Sequence, residues 1–255
     1  MDYKGYLIDL DGTMYNGTEP ILAAPRFIQR LQDKQVPFLF VTNNTTKTQK
    51  EVTDNLRINF DIDVTEEHIY TASLATAKYM KKLNKGNKLF VIGETGLKDA
   101  LAKSGFIEDK ENPDFVVVAL DRAVTYTDFE VATLAIQKGA QFIATNKDTN
   151  MPSEKGMVPG AGSLVAMVVA ATRVEPTFIG KPESIIMDEA LETIGLKKEE
   201  VVMVGDNYET DILAGIQNGI DTLLVYTGFT NPEDMTNEMK QPTHHIHSLD
   251  EWIIR

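Results

Sequence analysis

Two aspartates one residue apart follow a short apolar run near the start of the chain, in the stretch YLIDLDGTM (residues 6–14). Asp9 and Asp11 would lie at the end of a predicted buried strand. Neighbouring carboxylates repel each other, and neither is favourable to bury without a partner. An Asp-Gly pair is also typical of an ordinary turn. Whether this stretch is a turn or a chemical site must therefore be inferred from other polar residues of the chain.

Further polar side chains follow three other predicted strands. Thr42 and Asn43 follow PFLFV, Lys181 follows TFIG, and Asp206 and Asp211 follow VVMVG. In an open parallel sheet, ligands bind at the carboxyl edge of the strands. Each signal alone is also typical of a turn, a surface lysine or a helix start. Their joint occurrence at strand ends predicts one shared crevice.

The residue types in this crevice favour phosphate chemistry. Four carboxylates would not all stay ionised together without a cation. Asp9, Asp206 and a backbone carbonyl are hard oxygen ligands that suit Mg²⁺, and Lys181 adds a second positive charge. Thr42 and the amides that follow it can donate to phosphate oxygens. A carboxylate can attack phosphorus, so we expect one aspartate of the opening pair to attack while its neighbour, Asp11 or Asp9, handles the proton.

The amino-acid composition excludes several classes of partner and of chemistry. The 255 residues include 38 acidic and 25 basic side chains, a net charge of −13, which argues against nucleic acid or an anionic membrane as a partner. The absence of cysteine excludes disulfides and thiol catalysis. The longest apolar run, residues 164–171, is too short to span a membrane. The first residues lack the apolar segment of a signal peptide, so we expect a cytoplasmic protein.

Strand and helix patterns alternate along the chain. Predicted strands cover residues 6–10, 37–42, 88–93, 115–120, 142–145, 177–180, 201–205 and 222–226. Helical spacing covers residues 24–34, 48–59, 73–83, about 94–104, 128–138, 162–173, 184–194 and about 206–218. Continuous apolar strands separated by amphipathic helices predict an α/β protein with parallel sheets covered on both faces.

The stretches DLDGTM, VTNN, GKPES and GDNYETDI resemble the four motifs of the haloacid dehalogenase superfamily. The resemblance implies a Rossmann-like, doubly wound parallel-sheet core. It implies that Asp9 is the nucleophile and that Asp11 is first general acid and then general base. It further implies that Mg²⁺ is bound by the Asp9 carboxylate, the Asp11 carbonyl and Asp206.

The same resemblance assigns the remaining site residues. Thr42, Asn43 and Lys181 would hold the phosphoryl group. Asp211 would position either the water ligands of the metal or Lys181, and Asn207 would support the same outer ligands of the metal.

Spacing places an inserted domain between the second and third motifs. The gap from Asp9 to Thr42 has room for one helix and one strand, whereas the gap from Thr42 to Lys181 can hold a domain. This arrangement resembles the NagD-like phosphatases, which carry a smaller α/β cap at that point. The resemblance implies a core of residues 1–73 and 177–255 and a cap of residues 74–176.

The cap stretch of residues 144–168 is similar to a signature of that family, although Lys147 stands where the family usually has proline. We expect Asn146, Asp148 and Thr149 to reach the substrate. An ordinary turn at the end of a strand is the alternative for these three residues.

The predicted function is a Mg²⁺-dependent phosphatase that hydrolyses small phosphate monoesters, such as sugar or acid-sugar phosphates and p-nitrophenyl phosphate, through an aspartyl phosphate. A phosphomutase is one alternative, although mutases of the superfamily more often carry the cap between the first two motifs. A phosphoacceptor signalling module is a second, although such modules are about half this length. The sequence does not name the metabolite, and a homodimer stays open.

Two other patterns are discounted. The stretch VIGETG (residues 91–96) imitates a nucleotide-binding loop but lacks the full glycine fingerprint. His244, His245 and His247 are interpreted as a short strand and its end rather than a metal site.

Overall fold

The computed structural model describes residues 2–153 and 155–254, and the chain divides into two compact units. The first unit comprises the described residues up to Thr42, Lys50–Tyr70 and those from Lys181 onward. The second comprises Asn43–Gln49 and Thr71–Gly180. The sequence placed the second boundary after residue 176, whereas the structure assigns residues 177–180 to the second unit.

The elements follow one another in alternation over most of the chain. The strands are β1 (Gly5–Ile8), β2 (Tyr15–Asn16), β3 (Glu19–Pro20), β4 (Phe38–Thr42), β5 (Ile69–Thr71), β6 (Lys88–Ile92), β7 (Ile107–Glu108), β8 (Phe115–Val118), β9 (Gln141–Ala144), β10 (Asn150–Ser153), β11 (Gly156–Pro159), β12 (Thr177–Phe178), β13 (Val201–Gly205), β14 (Asp221–Val225) and β15 (His244–Ile246). The helices are α1 (Ala23–Asp33), α2 (Gln49–Phe60), α3 (Ala72–Leu83), α4 (Thr95–Lys103), α5 (Tyr126–Gln137), α6 (Ala161–Thr172), α7 (Ser184–Ile194) and α8 (Leu213–Asn218).

The sheet of the first unit has six strands in the order β15-β14-β13-β1-β4-β5. β1 pairs in parallel with β13 on one side and with β4 on the other, so Ile8 lies opposite both Val204 and Phe40. Every residue of β1, β4 and β13 is buried, which explains their unbroken apolar sequences. The chain continues outward to β4 and β5 on one side and to β14 and β15 on the other. The topological switch point therefore lies between β1 and β13.

Helix α1 shows how the core of this unit is fixed. Phe27, Ile28 and Leu31 recur at helical spacing and are all fully buried. They pack with Tyr6 and Phe40 in one hydrophobic cluster that spans the central strands. Burial of a side chain such as Phe27 contributes about 1.5–3 kcal/mol, so this packing fixes α1 against β1 and β4.

The second unit contains its own parallel sheet, in the order β12-β9-β8-β6-β7. The stretch TFIG was predicted as a strand beside the catalytic motifs, and that placement is wrong. Thr177 pairs with Ile143 of β9, so β12 belongs to the second sheet. An antiparallel hairpin of β10 and β11 is also present, which the sequence did not predict.

Within residues 2–153 and 155–254, no helix has both the length and the apolar character that a bilayer span requires.

Candidate active site

Asp9 lies immediately after β1, at the switch point of the first sheet. Its N–H donates to the Val204 carbonyl at 2.8 Å, which continues the pairing of β1 with β13. Its carboxylate is nearly buried, and Oδ1 accepts from Lys181 Nζ at 2.5 Å. No described residue donates to the other oxygen, Oδ2. Burial and the nearby Asp211 raise the pKa of Asp9 well above its ordinary value, although Lys181 opposes the shift.

Asp206 follows β13 and is held from both sides. Oδ1 accepts from Thr13 Oγ1 at 2.9 Å, and Oδ2 accepts from the N–H of Phe229 at 2.7 Å. Burial and repulsion from Asp211 raise the pKa of Asp206 to about 6, against the effect of these two donors. The carboxylate also lies tightly against Gly12 and Gly228, where a Cβ atom would collide with it.

Asp211 lies in a single π-helical turn, Tyr208–Ile212, directly before α8. Its Oδ1 accepts from Lys181 Nζ at 2.7 Å, and its Oδ2 accepts from the N–H of Asn207 at 3.1 Å. The Asn207 side chain itself caps the turn by accepting from the N–H of Glu209 at 3.0 Å. Asn207 therefore fixes the turn that presents Asp211 to the lysine. π-Helical turns are frequent at functional sites.

Lys181 joins these acids although it follows a strand of the second sheet. The Lys181–Pro182 peptide bond is cis, and the lysine is 2% exposed. Burial alone would lower the pKa of Lys181, but Asp211 and Asp9 raise it well above the ordinary lysine value. The lysine is therefore a permanently charged partner of two carboxylates.

The acidic cluster fits a divalent cation. Carboxylate oxygens of Asp9, Asp206 and Asp211 lie within 4.8 Å of one another, and all three residues are buried. Three carboxylates and one lysine leave an excess of two negative charges, which is unfavourable inside a protein. Oxygen-only ligands are those that hard cations such as Mg²⁺ prefer. The buried acids present therefore fit a divalent cation, and the Asp11 carbonyl predicted as a further ligand stays a prediction.

Asp11 and Thr42 lie in the same unit as the acids. Asp11 is exposed, and its Oδ1 accepts from the N–H of Gly17 at 3.0 Å. Gly17 occupies the turn between β2 and β3 with a φ of 60°, so this small hairpin orients the Asp11 side chain. Thr42 is the buried last residue of β4, the strand next to β1.

The other predicted residues lie in the second unit. Asn43, Asn146 and Asp148 are brought together by hydrogen bonds, with the Asn146 side chain buried among them. Thr149 is exposed, and its backbone carbonyl accepts from Gly160 N at 3.0 Å and Ser163 Oγ at 2.5 Å, near the start of α6. Their contact with a substrate stays a prediction.

Comparison with known proteins identifies the family. The profile described as haloacid dehalogenase-like hydrolase matches residues 6–107, and one described as HAD-hydrolase-like matches residues 178–252. A Bacillus subtilis protein named 5'-nucleotidase YutF is 54% identical over 251 residues, which cover 98% of each chain. The chain belongs to the haloacid dehalogenase-like hydrolases. The family resemblance predicted from the four motifs is confirmed.

Two further similarities place this hydrolase within the family. An acid sugar phosphatase of Staphylococcus aureus is 48% identical over 252 residues, which cover 98% of this chain and 97% of the relative. The solved structure of NagD from E. coli K-12 is 32% identical and covers the whole of both chains with a TM-score of 0.94. The predicted α/β fold with a parallel-sheet core and a NagD-like architecture is therefore confirmed.

Sequence reasoning missed three residues that shape the site of this hydrolase. Thr13 and the N–H of Phe229 bind the two oxygens of Asp206, and Gly228 makes room for that carboxylate. Thr13 belongs to the DLDGT stretch and was available as a signal. The glycine in the late stretch YTGFT was a second signal, because a glycine after β14 marks a close approach of the backbone.

Proposed function

We propose that this hydrolase is a Mg²⁺-dependent phosphatase that cleaves small phosphate monoesters through an aspartyl phosphate on Asp9. The observation that carries the proposal is the arrangement at Asp9. Lys181 binds Oδ1 of that carboxylate, whereas Oδ2 accepts no hydrogen bond from a described residue. One oxygen is thereby fixed and the other is available to attack phosphorus.

The carboxylates of Asp9 and Asp206 and the carbonyl of Asp11 would hold the Mg²⁺ ion. When bound, the ion supplies positive charge that neutralises the acids and the phosphate dianion. Asp211 and Asn207 would support these ligands without binding the ion themselves. Asp211 holds Lys181 by an ion pair, and Asn207 holds Asp211.

The first half of the reaction transfers the phosphoryl group to the enzyme. Thr42 and Lys181 bind phosphoryl oxygens and orient the phosphorus towards Asp9. Asp9 Oδ2 forms a bond to phosphorus while the bond to the leaving oxygen breaks. Asp11 gives its proton to that leaving oxygen, so the alcohol departs neutral and Asp11 becomes a carboxylate.

The second half returns the enzyme to its starting state. The Asp11 carboxylate takes a proton from a water molecule, and the water oxygen attacks phosphorus. The bond between phosphorus and Asp9 Oδ2 breaks, which releases inorganic phosphate and restores the Asp9 carboxylate. Lys181 compensates the negative charge that develops on the phosphoryl oxygens in both halves.

The names of the relatives support phosphorylated sugars and nucleotides as the substrate class. A 5'-nucleotide and an acid sugar phosphate share a phosphate ester on a hydroxylated sugar. We therefore propose small metabolites of this kind as substrates, with p-nitrophenyl phosphate as an artificial one. Among the residues of the second unit, Asp148 and Thr149 stay candidates for contact with the leaving group.

The replacement Asp9→Asn tests the nucleophile. Turnover of p-nitrophenyl phosphate with Mg²⁺ should fall by at least about 10³-fold, while the circular dichroism spectrum stays that of the wild type. The control Asp33→Asn changes an exposed aspartate of α1 and should retain activity. Sustained turnover by Asp9→Asn would refute the proposal. Transfer of phosphate to a second sugar, without ¹⁸O from labelled water entering phosphate, would indicate a mutase instead.

A further inference from the structure

Four residues of the second unit form what we call the junction cluster: Asn43, Asn146, Asp148 and Gly180. Asn146 lies at its centre and is 5% exposed. Its Nδ2 donates to the Asn43 carbonyl at 3.1 Å, and its Oδ1 accepts from the N–H of Asp148 at 3.1 Å. If the amide were flipped, its NH₂ group would face the Asp148 N–H and its oxygen would face the Asn43 carbonyl. Both contacts would then be repulsive, so the two hydrogen bonds fix the orientation of the amide.

Asn43 is held through its side chain as well. Asn43 Nδ2 donates to Asp148 Oδ2 at 3.3 Å. Farther along the same segment, the Thr46 carbonyl accepts from the N–H of Gly96 at 3.2 Å, at the start of α4. The segment that follows Thr42 is therefore bound to the second unit at two separate points.

Gly180 brings a second segment of the chain into the cluster. Its N–H donates to the Thr145 carbonyl at 2.7 Å. A Cβ at this position would lie about 2.5 Å from Asn43 Oδ1 and 2.6 Å from the Thr145 carbonyl oxygen. Only glycine allows this approach without displacement of its neighbours. Asn43 and Gly180 thus pack together beside Asn146.

These two segments adjoin the residues that the proposed function gives to the phosphoryl group. Asn43 is the residue after Thr42, and Gly180 is the residue before Lys181. We propose that Asn146 is a positioning residue that binds the backbone next to Thr42 and packs against the backbone next to Lys181, rather than a residue that recognises the leaving group. The proposal rests on the proposed function, because that function defines what Thr42 and Lys181 bind.

The variant Asn146→Asp tests this role. The new side chain keeps an acceptor for Asp148 N–H but sets an oxygen against the Asn43 carbonyl. We expect kcat/KM to fall by about tenfold, by the same factor for p-nitrophenyl phosphate and for a nucleoside 5'-monophosphate. The inhibition constant for inorganic phosphate, which has no leaving group, should rise as well. Asn146→Ser, which cannot reach the Asn43 carbonyl, should reproduce this pattern if Asn146→Asp does not fold.

A matched control lies elsewhere in the same unit. Asn87 Nδ2 also donates to a backbone carbonyl, that of Gly105 at 3.5 Å. Asn87→Asp should leave both substrates and phosphate inhibition unchanged. An effect of Asn146→Asp on one substrate alone would assign Asn146 to the leaving group and overturn the proposal.

A second readout does not depend on turnover. Amide hydrogen exchange of residues 43–46, followed by mass spectrometry, should accelerate in Asn146→Asp relative to wild type. Unchanged exchange together with unchanged kinetics would refute the positioning role. Absence of turnover in the wild-type enzyme would refute the proposed function instead, and the exchange data would still decide whether Asn146 holds this segment.

Discussion

Thr13 and Asp206 lie 193 positions apart in the sequence, yet Thr13 Oγ1 donates a buried hydrogen bond to Asp206 Oδ1 at 2.9 Å. The bond ties the loop after β1 to the end of β13 at the switch point of the sheet. Because a donor stabilises the ionised carboxylate, the Thr13 hydroxyl and the Phe229 N–H lower the pKa of Asp206 against the larger effects of burial and Asp211.

Replacement Thr13→Val should weaken the proposed metal site. Without its donor, Asp206 should have a still higher pKa, and the Mg²⁺ concentration for half-maximal activity should rise by about 10–100-fold. A Mg²⁺ titration of p-nitrophenyl phosphate turnover measures this. Thr172→Val, which removes a hydroxyl from the end of α6, serves as the control. An unchanged Mg²⁺ requirement would show that the Thr13 bond does not tune Asp206.

Replacement Lys181→Met should destabilise the protein strongly. Asp9 and Asp211 would lose their shared partner inside the protein, which costs about 3–5 kcal/mol in the free energy of unfolding. The loss should be smaller at pH 5 than at pH 7.5, because the raised pKa of Asp9 allows that carboxyl to take up a proton, which relieves its repulsion from Asp211. Chemical denaturation at both pH values tests this. Lys4→Met, which removes an exposed pair with Glu200, should hardly change the unfolding midpoint.

The metal-free protein should lose stability as the pH rises from about 4 to about 6. The pKa of Asp206 is about 6 in the folded protein and 3.8 in a model peptide. Between these values the folded state binds more protons than the unfolded state, so the free energy of unfolding falls with rising pH, by on the order of 2 kcal/mol. Thermal melts in a chelator measure the trend.

Two controls belong to this experiment. Asp206→Asn should weaken the pH trend, leaving the part that the raised pKa of Asp9 contributes, and saturating Mg²⁺ should reverse the trend, because the ion binds the ionised acids. A metal-free protein that becomes more stable over the same range would contradict the assignment of Asp206.

Replacement Gly228→Ala should disable the site without a change in charge. The added methyl would collide with the Asp206 carboxylate and with Gly12 Cα. A displacement of about 1 Å at such a site costs on the order of 10²-fold in rate, which initial rates at saturating Mg²⁺ would reveal. Gly139→Ala is the control. Its φ of 105° strains the backbone of an alanine, but apart from the adjoining residues no atom lies within 4 Å of the added methyl. Wild-type rates for Gly228→Ala would show that this contact is not critical.

The clustering of the acidic residues could be predicted from the sequence because each of them follows a strand. β1 and β13 are unbroken apolar runs, and such strands are buried and parallel, so Asp9 and Asp206 had to share one edge of a sheet. Lys181 was harder. Its strand β12 has only two residues and joins the other sheet, and short strands leave no periodic pattern from which a partner can be inferred.

Other features had no signal in the sequence. The hairpin of β10 and β11 is largely exposed and lacks the alternation of apolar and polar residues that marks a half-buried strand. The π-helical turn at Tyr208–Ile212 depends on Asn207 and Asp211 binding each other's segment, which only the folded structure shows. Thr13 was overlooked because its partner is distant in the sequence.

The division of the first unit into separate stretches of chain has a consequence for synthesis. During translation β1 leaves the ribosome long before β13, so the central strand of the sheet must wait for the neighbour that completes its buried edge. All five strands of the parallel sheet of the second unit lie within Thr71–Gly180, so that sheet can form in the meantime. The nascent chain therefore carries Asp9 without its acidic neighbours, and the buried cluster is complete only after Asp206 and Asp211 have been synthesised.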